Sequence, residues 1–168
     1  MHTKQIELLQ QMPIFGGLPA EALDLLLEDA RSVLVPAQAY FFREGDPAVS
    51  MFVLERGSVA VLRGWRGRET LLRRLGKGDC FGEMALLDLF PRSASVLAEE
   101  DCSAIELTPA HLYRLFERDP AQFAMIQMNI AREMSRRLRV TDDALFHARM
   151  EGLKPAGAAG AAGDPHAP

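Results

Sequence analysis

The sequence predicts a mostly β domain with flanking helices: a double-sheet β-roll, or jelly-roll-like double-stranded β-helix, with helices before it and one long helix after it. Three observations carry this. Between residue 31 and about residue 108 the chain breaks into short runs rich in Val, Leu and Phe, punctuated by Pro36, Gly45-Asp46-Pro47, Gly57, Gly64 to Gly67 and Gly76 to Gly78. Short strands at such turn spacing build two packed sheets. Residues 3–11 and 19–30 instead repeat Ile, Leu and Ala at helical intervals, and residues 121 to about 149 carry the longest helical pattern of the chain.

Taken in order, the two N-terminal helices are separated by the turn Phe15-Gly16-Gly17-Leu18-Pro19, with Pro19 suited to the first turn of the second. Inside the β region Gly45 and Gly57 are expected at turns or bulges that need positive φ, and Phe52, Leu54, Val59 and Val61 alternate toward a core. Trp65 falls at a hairpin tip, either as a capping aromatic or as a partner contact. Thr108-Pro109-Ala110-His111 reads as a helix start with Thr108 as the cap and Pro109 in the first turn, running through Phe116. In the long helix, Phe123, Ile126, Ile130, Met134, Leu138, Thr141 and Leu145 recur at three or four residues, a stripe that requires a partner surface. Beyond Gly152 the Ala, Gly and Pro-rich run has no apolar period and reads as a disordered tail. The expected division is therefore an N-terminal helix in residues 1–13, one domain in residues 14–150 and the tail in residues 151–168.

Composition narrows the function. A chain of 168 residues with 48% apolar content buries one core and leaves no room for a second, catalytic domain. No apolar run approaches a membrane span and the N-terminus lacks a secretory pattern, so a cytoplasmic protein without membrane contact is expected. Nineteen Lys and Arg against 23 Asp and Glu give a net charge of -4, which repels nucleic acid unless a local basic patch exists. The arginines at 132, 136, 137 and 139 circle the long helix as a solvated face. Cys80 and Cys102 have no ligand spacing and read as small buried residues, and the scattered histidines His2, His111, His147 and His166 offer no metal site. Asp142 and Asp143 are adjacent on a helix and diverge, unlike a catalytic carboxylate pair. No serine, cysteine or lysine is paired with a base, so no enzyme is expected.

The most informative run is Phe81-Gly82-Glu83-Met84-Ala85-Leu86-Leu87, followed by Pro91-Arg92-Ser93-Ala94. It sets one carboxylate and one guanidinium around a glycine-led turn, the chemistry that holds a sugar phosphate: glutamate accepts from a hydroxyl, arginine forks onto phosphate oxygens, and the N–H groups of Gly82 to Ala85 add donors. This run resembles the phosphate-binding cassette of the cyclic nucleotide-binding domain family, which includes the catabolite activator protein and protein kinase A regulatory subunits. Arg43-Glu44-Gly45-Asp46, Met51-Phe52-Val53-Leu54 and Gly57-Ser58-Val59-Ala60-Val61 resemble that family's Glu-Gly-Asp turn and central hairpin. One departure is Pro36-Ala37-Gln38-Ala39, where the family carries a glycine-containing turn.

The resemblance covers roughly residues 14–146 and implies a β-roll holding the nucleotide, with the long helix over the pocket. It implies Glu83 on the ribose, Arg92 on the phosphate and a Ser93 hydroxyl beside it. Gly82 and Ala85 would offer backbone groups, with Gly82 also permitting close approach, and Met84 and Ala94 complete the binding set. Arg136-Arg137-Leu138-Arg139-Val140-Thr141 resembles a segment of the same family in which the threonine touches the adenine, making Thr141 the candidate base contact; its other reading is a small polar residue on a helix seam. Asp142 stands where a serine comes next in that segment. The resemblance thus implies a stand-alone sensor of a cyclic mononucleotide, cyclic AMP before cyclic GMP, using no metal. It would form a homodimer through the long helix and act on a protein partner the sequence does not name.

Two other classes compete. A transcription regulator would append a helix-turn-helix, for which the 22 residues after Phe146 are too few and too rich in Ala, Gly and Pro, so no DNA binding is expected. A β-roll interaction module would have a vacant pocket or another ligand, such as a cyclic dinucleotide.

Overall fold

The computed structural model describes residues 2–88 and 90–152. Two helices, α1 (Thr3–Gln10) and α2 (Ala20–Leu27), flank a single 3₁₀ turn at Pro13–Phe15. Eight strands come next: β1 (Arg31–Val35), β2 (Tyr40–Phe42), β3 (Met51–Arg56), β4 (Val59–Trp65), β5 (Arg68–Leu75), β6 (Cys80–Phe81), β7 (Ser95–Ala98) and β8 (Cys102–Leu107), with a 3₁₀ turn at Glu83–Leu86 before β7. The chain then forms α3 (Pro109–Arg118) and α4 (Pro120–Gly152). The expected tail lies outside the described residues, apart from its first two positions, which continue α4. Two compact units divide the chain, residues 1–131 and residues 132–168.

In the first unit the strands make two four-stranded antiparallel sheets, β1-β8-β3-β6 and β2-β7-β4-β5. Between them lie Phe52, Leu54, Val59, Val61, Phe81, Val96, Ala98, Cys102 and Ala104, the expected alternation of the β3–β4 hairpin supplying four of these side chains. The other face of the first sheet is apolar too: Met51, Val53, Ile105 and Leu107 are fully buried. There Gln5 of α1 donates to Ser32 on β1 and Glu55 on β3 at 3.4 and 3.1 Å, placing that helix on the sheet's outer side. The sheet is therefore buried on both faces, so β3 reads as a continuous apolar run at Met51-Phe52-Val53-Leu54.

Turn chemistry explains the ordering of strands. Gly57 sits at φ 93° between β3 and β4, and a Cβ there would stand 2.6 Å from Cys102 Sγ, so both the backbone and the space demand glycine. Arg66-Gly67, with φ of 50° and 78°, closes the β4–β5 hairpin as both central residues of a primed turn. At 36–39 the positive φ falls on Gln38, at 65°. The chain keeps the turn without glycine by tying Gln38 N–H to Ala98 O at 2.8 Å and Ala37 N–H to Asp101 Oδ1 at 2.9 Å. Between Tyr40 and Phe42 the pairing of β2 with β7 slips, and the consecutive Phe41 and Phe42 both pack against the core cluster.

Two helical expectations shift, both at α2. Pro19 is the N-cap of α2 rather than a first-turn residue. That helix ends at Leu27, not near Ala30, because Asp29 turns left-handed at φ 63° to launch β1. At α3, Thr108 caps and Pro109 follows as expected, and His111 closes a capping box: its Nδ1 accepts the Thr108 N–H at 3.0 Å and lies 2.7 Å from the Thr108 hydroxyl. The stripe on α4 divides. Ile126 and Ile130 are fully buried, whereas Leu138 and Leu145 are 61% and 49% exposed in this chain. Cys102 is buried, Cys80 only half so, and neither belongs to a disulfide.

Candidate functional site

The site grows from the end of β6. Phe81 pairs with Phe52 of β3, and the chain then turns left-handed at Gly82, φ 75°, into the 3₁₀ turn of Glu83–Leu86. This turn buries Glu83, 3% exposed, and Ala85, while Met84 stays 43% exposed. Ala85 N–H, expected as a donor to ligand, engages Gly82 O at 3.1 Å inside the turn. A single turn also has little dipole to offer, so the positive potential here comes from one side chain.

That side chain is Arg92, 7% exposed. Its backbone is clamped to the Glu-Gly-Asp turn on both sides: Arg92 N–H donates to Asp46 O at 2.9 Å and Gly45 N–H to Arg92 O at 2.8 Å. The turn is itself closed by Arg43 N–H to Asp46 Oδ2 at 2.8 Å. Glu44 ties it further, its N–H donating to Ser95 Oγ at 2.9 Å and its Oε2 accepting Gly64 N–H at 2.8 Å. Thus the 43–46 turn, legible in sequence as a glycine turn, positions the arginine 46 residues later.

The guanidinium lies with Cζ 3.9 Å from the centroid of the Phe42 ring, and its Nη1 reaches Gly82 O at 3.4 Å. A Cβ on Gly82 would fall 2.6 Å from that nitrogen and 3.2 Å from Ser50 O. Gly82 was expected to let ligand approach; in the structure the room it leaves is filled by Arg92. Burial pulls the guanidinium below its ordinary pKa, against the opposing pull of the carboxylates of Asp46, Glu106 and Glu83. Its Nε is buried with no hydrogen-bond partner. A buried cation with an unsatisfied donor is suited to an anion that brings its own acceptor oxygens.

The expected residues separate into groups. Gly82, Glu83, Ala85 and Arg92 converge; Met84 stands at the rim, Ala94 packs on the core, and Ser93 is exposed. Thr141 belongs to the second unit, exposed on α4, with its hydroxyl donating to Arg137 O at 2.9 Å. Sequence reasoning missed Phe42, Ser95 and Asn129, and read Glu44 only as part of the Glu-Gly-Asp turn. Asn129 is buried on α4 and donates to Ile14 O at 3.1 Å and Gly16 O at 2.9 Å, fastening α4 to the N-terminal turn. Only its interruption of an apolar stripe could have marked it. Among the described residues no His, Cys, Asp and Glu cluster could hold a metal ion, and no helix is long and apolar enough to cross a membrane.

The chain is similar to known proteins. The chain is 36% identical over 131 residues to a cyclic AMP receptor protein of Thermus thermophilus, spanning 77% of this chain and 59% of that one. It is 34% identical over 107 residues to a cAMP-dependent protein kinase regulatory subunit of Neurospora crassa, spanning 64% of this chain and 27% of that one. It therefore spans less than two thirds of either relative. The crystal structure of the Thermus thermophilus catabolite activator protein superposes with a TM-score of 0.73 at 35% identity, over 83% of this chain and 64% of that one. The model of the cyclic nucleotide-binding domain matches residues 32–119, from β1 through the cassette to the end of α3, and the chain belongs to that family.

Proposed function

We propose that this chain is a sensor of a cyclic mononucleotide, with cyclic AMP as ligand and cyclic GMP as the competitor to exclude. The carrying observation is the buried Arg92, held beside a buried Glu83 with one donor unsatisfied. In this reading Arg92 binds the cyclic phosphate, Glu83 accepts from the ribose 2′-hydroxyl, and Gly82, Ala85 and Ser93 line the phosphate. Met84 and Ala94 border the sugar and Thr141 meets the base. The names of the relatives, a cyclic AMP receptor and a cAMP-dependent kinase regulator, support cyclic AMP. The nucleotide is held without chemistry, and occupancy shifts a population of α4 conformations in a cytoplasmic homodimer.

Thermal unfolding with and without ligand tests this. Cyclic AMP at about a hundredfold its Kd stabilises the fold by ~2.7 kcal/mol, a rise of roughly 5–10 °C for a chain of this size. No rise with millimolar cyclic AMP or cyclic GMP would leave only the interaction-module reading. The chain alone is also proposed not to bind DNA selectively, being net acidic and having Arg136 of its basic helix paired with Glu133 at 3.2 Å. A sequence-selective gel shift at physiological salt would instead favour a transcription regulator.

A further inference from the structure

We infer that Phe42 is a positioning residue that presents the Arg92 guanidinium to the phosphate, an inference resting on the cyclic-nucleotide reading of the site. The guanidinium occupies a slot with the Phe42 ring on one side, 3.9 Å from Cζ to centroid, and the bare backbone of Gly82 beside it. The same point where a Gly82 Cβ would sit is 3.5 Å from Phe42 Cε1, so ring, glycine and guanidinium interlock.

The ring is itself fixed. Phe42 pairs with Val96 across β2 and β7, and its ring lies 6.1 Å from Phe52 and 6.0 Å from Phe81, which stack on each other at 5.4 Å. Phe81 immediately precedes Gly82, so the aromatic cluster links the floor of the core to the cassette. The slipped register at β2 brings Phe42 inward alongside Phe41, an arrangement that strict alternation would forbid.

The chemistry of the contact matters more than its packing. A carboxylate partner would engage the N–H edge of Arg92, the edge a phosphate needs. An aromatic face attracts the cation through its quadrupole and touches only the flat side of the guanidinium, leaving its in-plane donors for oxygen acceptors. It also removes rotamer freedom from a long side chain before ligand arrives, so less ordering remains to oppose binding. Phe42 thereby supplies attraction and order without consuming donors.

Isothermal titration with cyclic AMP tests the role, using protein carrying 3,4,5-trifluorophenylalanine at position 42, which keeps the ring's shape while weakening its negative face, together with Phe42→Leu and Phe42→Tyr. Affinity is expected to fall about threefold to thirtyfold in the fluorinated and Leu proteins and to return near the parent value with Tyr. In an Arg92→Met background the same changes should have no effect, because Phe42 acts only through Arg92. Equal affinity across the Phe42 series while Arg92→Met lowers it by about two to three powers of ten would overturn the positioning role and leave the site intact. A separate readout needs no ligand: in the free protein the Arg92 side-chain NMR signals should be shifted upfield by the ring, and the shift should vanish in Phe42→Leu. A shift present in a protein that binds no cyclic nucleotide would uphold the pairing and sink the ligand reading. Unshifted signals would overturn the pairing itself.

Discussion

Replacing Arg92 by methionine should separate the needs of the ligand from those of the fold. Methionine keeps an unbranched apolar stem where the arginine stem is buried, so little cavity opens. The ligand-free protein loses a cation–π contact worth about 1–2 kcal/mol and a long hydrogen bond to Gly82 O. Against this it sheds a buried donor with no partner, which costs about 1–3 kcal/mol. The lowered guanidinium pKa gives the sign of the balance: burial outweighs the three nearby carboxylates, so the folded surroundings disfavour the charge relative to water. The two sides nearly cancel, and Arg92→Met should unfold within about 1 kcal/mol of the parent, or within roughly 4 °C. Binding behaves differently, because removing one member of a buried ion pair costs on the order of 3–5 kcal/mol, two to three powers of ten in affinity. Calorimetric melting of the free protein and cyclic AMP titration give both numbers. A free protein destabilised by more than about 3 kcal/mol would show that Arg92 builds the fold, and undiminished affinity would show that it does not hold the phosphate.

Gly82→Ala should lower both the melting temperature and the nucleotide affinity, since a left-handed φ of 75° costs an alanine about 1–2 kcal/mol and its Cβ drives Arg92 Nη1 from its slot; full affinity by calorimetry would refute the interlock. His111 should make stability depend on pH. Burial first, and then the Arg114 charge, lower its pKa in the fold, so its contribution is complete above the unfolded value of about 6.5 and is lost as pH falls below it. Melting temperatures from pH 7.5 to 5 should drop more steeply in the parent than in His111→Gln, and parallel curves would contradict this. Met134→Asp should yield a monomer that still binds nucleotide, because the exposed Leu138 and Leu145 continue its stripe and call for a second copy. Sedimentation showing the parent already monomeric with and without cyclic AMP would remove the dimer.

Much of the fold was legible because glycine and proline punctuate it: Gly45, Gly57 and Gly82 all take the positive φ that only glycine adopts freely. The turn at 36–39 was less so, since Gln38 holds that conformation through tertiary hydrogen bonds invisible in local sequence. Arg92 and Glu83 could be named because they flank a glycine-led turn in a run that resembles a phosphate-binding cassette. Phe42 could not, because its inward direction depends on a slipped register and its role on a residue 50 positions away. The α4 stripe gave the right helix and only half the right burial: periodicity says that a face is apolar, and the helix buries Ile126 and Ile130 while leaving Leu138 exposed.

Titration calorimetry of the unmodified 168-residue chain with cyclic AMP, with 5′-AMP as the control that lacks the cyclic ester, asks whether the slot around Arg92 holds a cyclic phosphate. Saturable binding at one site per chain is expected for cyclic AMP, competed by cyclic GMP, with markedly weaker binding for 5′-AMP, whose extra charge and open phosphate do not match a single guanidinium in a closed slot. No measurable heat with cyclic AMP, or equal affinity for 5′-AMP, would contradict cyclic-phosphate binding in that slot.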